Sequence, residues 1–208
     1  MVKQERAVRT RQALITAAAA AFDEEGFQVA SLTKISARAG VSSGALHFHF
    51  ASKAALAAAV EETAADILHT LTHTSGPSSR GPGHLQHLID VTHLLARALR
   101  QEVVLRAGFA LSGEVTRTPH TDLRARWREW VEQEVGRSLV GGELQGVAPG
   151  RVSAAVVAAT VGFEVLGARD AAWLSAATVA GFWRLLLPTI ASRAVLAGLN
   201  TTQPAHHL

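Results

Sequence analysis

The chain has 208 residues, 48% of them hydrophobic and 18% charged, enough for one large domain or two small ones. It contains no cysteine, which excludes disulfides and thiolate metal sites. Its formal net charge of +3 lies entirely in residues 1–60, where seven basic side chains (Lys3, Arg6, Arg9, Arg11, Lys34, Arg38, Lys53) face four acidic ones (Glu5, Asp23, Glu24, Glu25), while the remaining 13 basic and 13 acidic side chains cancel. A basic first segment points to a polyanionic partner. The N-terminus is polar, without the apolar core of a secretory signal, so a cytoplasmic location is expected.

Abundant alanine and the scarcity of alternating segments favour an all-α fold. Residues 5–25 read as a first helix, with Leu14, Ala18, Ala21 and Phe22 at helical spacing and Gly26 ending it. Residues 31–53, SLTKISARAGVSSGALHFHFASK, then form a helix-turn-helix. Ser31 caps its first helix, whose inward face is Leu32, Ile35 and Ala39, and Gly40 supplies the left-handed turn. Ser42 caps the second helix, with Leu46 inward and the Phe48–Phe50 pair expected to be buried. A helix in this position is the kind that enters a DNA major groove. Residues 1–52 are therefore read as a DNA-binding domain.

The rest, 53–199, reads as a larger helical domain for effector binding and dimerisation, with 200–208 a flexible tail. A long helix runs from Lys53 to about Thr72, with Leu56, Val60, Ala64, Ile67 and Leu71 on one side. Thr74–Gly83 (TSGPSSRGPG) is the best linker candidate. Helices follow at His84–Arg100, at Gln101–Ser112, and from Thr118-Pro119 to Gly141-Gly142; Leu144–Gly150 is a loop. Arg151–Gly167 and Ala171–Leu187 are apolar helices, the second stopped or kinked by Pro188, and a short helix ends at Leu196. Val152–Leu166 is apolar on nearly every side and should be buried on all of them. With few elements left to cover it, a second copy of the chain is expected on the helices at about 152–167 and 171–187. The run carries Glu164 and is read as too short to span a bilayer.

The DNA-facing candidates follow from position. Ser42 and Ser43 begin the second helix, where hydroxyls and free amides can meet phosphate or a base, although capping alone accounts for Ser42. Gly44 and Ala45 offer short reach beside them. Thr33 and Lys34 lie on the outer face of the preceding helix, Arg9 on the basic first helix, His47 and His49 beside the phenylalanines, and Lys53 in the first turn of the fourth helix, where it could meet a phosphate.

His69/His73 and His84/His87 have helical spacing, but no Cys, Asp or HExxH completes a ligand set, and His206 and His207 belong to the tail, so no metal or other cofactor is expected. No nucleophile motif or phosphate-cradling glycine loop suggests an enzyme. An architectural DNA-bending protein would lack so large a neutral apolar second region. That region can instead form a sensor pocket lined by Leu88, Thr92, Leu95, Phe109, Trp127, Trp130, Val131, Phe163 and Trp183, unless these are ordinary core. So few charges imply a small, mostly apolar ligand.

The stretch from Arg9 to Leu56, with FDEEGF followed by SLTKISARAGVSSGALHFHFASKAAL, resembles the TetR family of one-component transcriptional repressors. The resemblance implies an all-α homodimer on a pseudo-palindromic operator. In it, ligand binding swings the fourth helix and changes the spacing of the two recognition helices. FHF at Phe48–Phe50 and WRLLLPTIA at Trp183–Ala191 are similar to the γ-butyrolactone autoregulator receptors. These control secondary-metabolite and antibiotic genes and let go of DNA when a γ-butyrolactone, furan or butenolide type of signal binds. A tryptophan there closes over the ligand; Trp127, fifteen residues before Gly142, has that spacing, and Trp130 is the alternative. Ser43 and His47 stand where these receptors often carry a long basic residue and a tyrosine. The basic balance also resembles divergent pseudo-receptors that answer to antibiotics or other hydrophobic drugs and control efflux or biosynthesis.

Overall fold

The computed structural model describes residues 2–73 and 83–202. Most of the linker candidate at 74–83 and the histidines at 206 and 207 lie outside these residues. The described elements are helices, plus one isolated bridge between Leu144 and Ala191. In order they are α1 (Val2–Glu25), α2 (Leu32–Arg38), α3 (Ser43–His49), α4 (Lys53–His73), α5 (His84–Gln101), α6 (Val103–Ser112), α7 (Leu123–Val140), α8 (Pro149–Gly167), α9 (Ala176–Ile190) and α10 (Arg193–Leu196).

Two compact units result. One draws on Met1–Ile67 and Glu102–Leu123, the other on Leu68–Gln101 and Arg124–Leu208. In the first, α6 packs along α1, and Arg106 of α6 pairs with Asp23 at 2.9 Å. Gly108 lets α6 approach α4: a Cβ there would lie 2.4 Å from that of Ala64. The fully buried Glu61 of α4 accepts from the Arg117 guanidinium and from the amide of His120 at 2.8 Å. That anchorage holds 117–121 as a turn, so α7 starts at Leu123 and not at Thr118-Pro119. Phe109, expected in the sensor pocket, is buried on α6, which belongs to this first unit.

In the second unit α5 packs against α8 and α9. Glu143 caps α5, accepting from His84 N at 3.0 Å and Leu85 N at 2.7 Å. A Cβ on Gly83 would fall 1.8 Å from that carboxylate. The expected helix at 171–187 is divided. A 3-10 turn at Ala171–Leu174 precedes Ser175, whose hydroxyl caps α9, and Pro188 sits in the last turn without stopping it before Ile190.

Helix α8 is covered on one side only. Only Val152, Ser153, Val156 and Thr160 are buried; Ala154, Ala155, Ala158, Val165 and Leu166 face out. At 19 residues it is long and apolar enough, by length and composition, to cross a membrane. Its buried side nevertheless packs on α5, and Glu164 pairs with Arg124 at 2.8 Å, the placement of a core helix with one bare face. Burial raises the Glu164 pKa, and Arg124 pulls against that.

Candidate functional site

The helix-turn-helix forms through its caps. Ser31 Oγ accepts from Lys34 N at 3.2 Å and Ser42 Oγ from Ala45 N at 3.1 Å. Gly40 adopts φ +68° between the helices, a conformation other L-residues rarely take. Ile35, Leu46 and Phe50 are buried, and Arg11 lies over the Phe50 ring at 5.3 Å. The outward face of α3 brings together Ser42, Ser43, Gly44 and His47, with Ala45 and His49 half-buried beside them. Thr33 and Lys34 on α2 and Arg9 on α1 are exposed.

Two expected features change. Phe48 is 82% exposed, not buried with Phe50. Two residues turn a helix through about 200°, so a side chain between inward Leu46 and Phe50 must point out. Lys53 is occupied: its ammonium donates to the carbonyls of Phe27, Gln28 and Ala30 at 2.8, 3.0 and 3.0 Å. An ammonium has three donors, so none remains for a phosphate. Lys34 and Arg38 are paired with Glu25 and Glu24 at 3.0 and 2.7 Å. The hydrogen bond from Arg38 holds the Glu24 carboxyl below its ordinary pKa.

The second unit assembles most of the expected sensor residues in a closed core. Leu88, Thr92, Leu95, Trp127, Trp130, Val131 and Trp183 are buried, while Phe163 is half-buried and meets Phe182 edge-on. Two buried indole N–H groups are paired: Trp127 Nε1 donates to Thr160 Oγ1 and Trp183 Nε1 to Thr92 Oγ1, each at 2.7 Å. Trp130 stacks on Trp127 with centroids 5.1 Å apart. Glu134, one helical turn beyond Trp130, was missed in the sequence. It is 1% exposed and pairs with His84 at 3.0 Å and with Arg137. Burial pushes its pKa up, but His87, His84 and Arg137 outweigh this and bring it down to about 2. His87 Nδ1 lies 3.3 Å from the same carboxylate, and neither of its ring nitrogens has a hydrogen-bond partner among the described residues. Two clefts, of about 320 Å³ at His93, Arg97 and Arg100 and about 480 Å³ at His84, Gln133 and Arg137, are lined by neither Trp127 nor Trp183. Among the described residues no group of three or more His, Cys, Asp or Glu is arranged for a metal.

A basic helical head presenting an open helix-turn-helix, joined in sequence to a second helical unit with an apolar core, defines a DNA-binding regulator. Known proteins agree. Residues 14–60 match the profile of the bacterial regulatory proteins of the tetR family. The A-factor receptor protein of Streptomyces griseus is 35% identical over 207 residues, 96% of this chain and 70% of that protein. The crystal structure of an ArpA-like γ-butyrolactone receptor is 30% identical, covering 92% of this chain and 93% of that one, with a TM-score of 0.79. CprB of Streptomyces coelicolor, solved in complex with its operator sequence, is 29% identical, covering 92% and 93% with a TM-score of 0.76. The chain belongs to the TetR family of transcriptional regulators, related to the A-factor and γ-butyrolactone receptors, and is a regulator and not an enzyme.

Proposed function

We propose that this chain is a ligand-responsive repressor acting in the cytoplasm. As a homodimer it binds a pseudo-palindromic operator, and a small, mostly apolar signal of γ-butyrolactone, furan or butenolide type releases it. The genes it governs are those of secondary metabolism, antibiotic clusters among them. The DNA-reading residues are Ser42, Ser43, Gly44, Ala45, His47 and His49, supported by Arg9, Thr33 and Lys34. The observation that carries the ligand reading is the sensor core, where two indole N–H groups end on threonine hydroxyls amid buried Leu88, Leu95 and Val131. An apolar site with a few fixed polar groups suits a small lactone, and Thr160 and Thr92 can change partners when one enters.

The test is a gel shift with and without a synthetic γ-butyrolactone, for the wild type and for Trp127→Ala. The wild type should release DNA; Trp127→Ala should stay folded, bind DNA and fail to release. A Trp127→Ala protein that still releases at the wild-type concentration removes Trp127 from the site. Release by antibiotics but by no lactone would move the effector to that class.

A further inference from the structure

We propose that Phe48 reads a thymine methyl group in the major groove of the operator. Phe48 is the large apolar side chain on the outward face of α3, where its neighbours Ser43, Gly44 and His47 are small or polar. Gly44 lies one turn earlier on the same side, and even a Cβ there would meet only Ser42 Oγ, at 3.9 Å. The ring therefore stands clear of the preceding turn at Gly44. It is also held: His49 meets it edge-on, with centroids 5.2 Å apart and planes at 85°, and the half-buried His49 ring lies 6.5 Å from that of buried Phe50. The row His49–Phe50–Arg11 ties an exposed aromatic to the packed head.

A phenyl ring can neither donate nor accept a conventional hydrogen bond, so it cannot read the polar edges of bases. The apolar feature of the major groove is the C5 methyl of thymine, and apolar side chains contact it. Ser43 and Gly44 have little reach, so discrimination at this base pair falls to Phe48. A stiff aromatic loses little side-chain entropy on contact.

The inference rests on the operator-binding reading and is tested on DNA chosen by the protein itself. A duplex is selected from a random library with the full-length wild type. Each thymine in it is then replaced by deoxyuridine, which deletes only the methyl. Affinities are read by fluorescence anisotropy at one salt concentration. At one thymine of the half-site, deoxyuridine should weaken the wild type about fourfold, the worth of one buried methyl. Phe48→Ala should bind the thymine duplex more weakly, show no further loss with deoxyuridine at that position, and keep wild-type affinity for unrelated duplex. Its melting temperature should not change, since the side chain is exposed.

Equal binding of the selected duplex by Phe48→Ala and wild type overturns the inference. So does a deoxyuridine effect that survives in Phe48→Ala, or a selected duplex in which no thymine methyl matters. A changed oligomeric state with unchanged sequence preference also overturns it, and would assign the ring to contact with a second copy. Failure of the wild type to select any sequence would instead remove the operator-binding reading itself.

Discussion

Lys53 shows how a single side chain can be drawn away from the surface role its position suggests. Its ammonium closes the turn after α1 through three carbonyls and sits 4.8 Å over the Phe27 ring. Lys53→Met leaves those carbonyls without their charged donor and should destabilise the first unit by about 1–3 kcal/mol in urea denaturation. Its DNA affinity, measured where both proteins are fully folded, should stay close to wild type. A uniform loss of DNA affinity at full folding would restore the phosphate role. Gly108→Ala should also destabilise, by about 1–3 kcal/mol, because its methyl must push apart α6 and α4 at Ala64; a thermal melt checks this. Residue by residue, the caps Ser31 and Ser42 and the turns at Gly26 and Gly40 were legible, because their partners lie within a few positions in sequence. The acceptors of Lys53, 23 to 26 residues away, were not, and neither were the donors to Glu61, 56 to 60 residues away. No local spacing announces contacts that only the folded chain creates.

Among the elements, helices with an apolar stripe could be read from periodicity, and their ends moved where a distant carboxylate took over a terminus. Glu143 caps α5 from 58 residues away, and Glu61 delays α7. Of the expected sensor residues, those on α5, α7 and α9 lie in the second unit, whereas Phe109 lies on α6 in the first, since an apolar pattern on a short helix does not say which unit it will join. Glu134 carries the pH behaviour of α7. Its folded pKa is depressed to about 2 from 4.5. The stabilisation is thus present above pH 4.5 and lost as pH falls through 2. By linkage it is on the order of 3 kcal/mol. Stability measured between pH 5 and 2 should fall for the wild type and fall less for Glu134→Gln, which has no proton to take up. Parallel curves for the two proteins would show that other carboxylates cause the loss.

For the whole molecule, the bare face of α8 is the feature that a single chain leaves unexplained. Ala154, Ala155 and Ala158 are exposed, Val165 and Leu166 are 50% and 43% exposed, and Leu185 of α9 is 82% exposed. Small residues allow two helix backbones to approach closely, and a self-complementary patch of this kind suits a two-fold axis. A dimer is also what a pseudo-palindrome requires, since two recognition helices must reach half-sites about 34 Å apart. Leu185→Arg would bring two like charges together across such an axis, in a site without a partner for either. The variant should remain helical by circular dichroism but sediment as a monomer where the wild type sediments as a dimer. Its affinity for the selected operator should drop steeply, because one head alone lacks the second half-site, while binding to unrelated duplex changes little and keeps its salt dependence. If Leu185→Arg still sediments as a dimer and binds the operator as wild type does, the pairing surface lies elsewhere on the chain and the bare face of α8 needs another occupant.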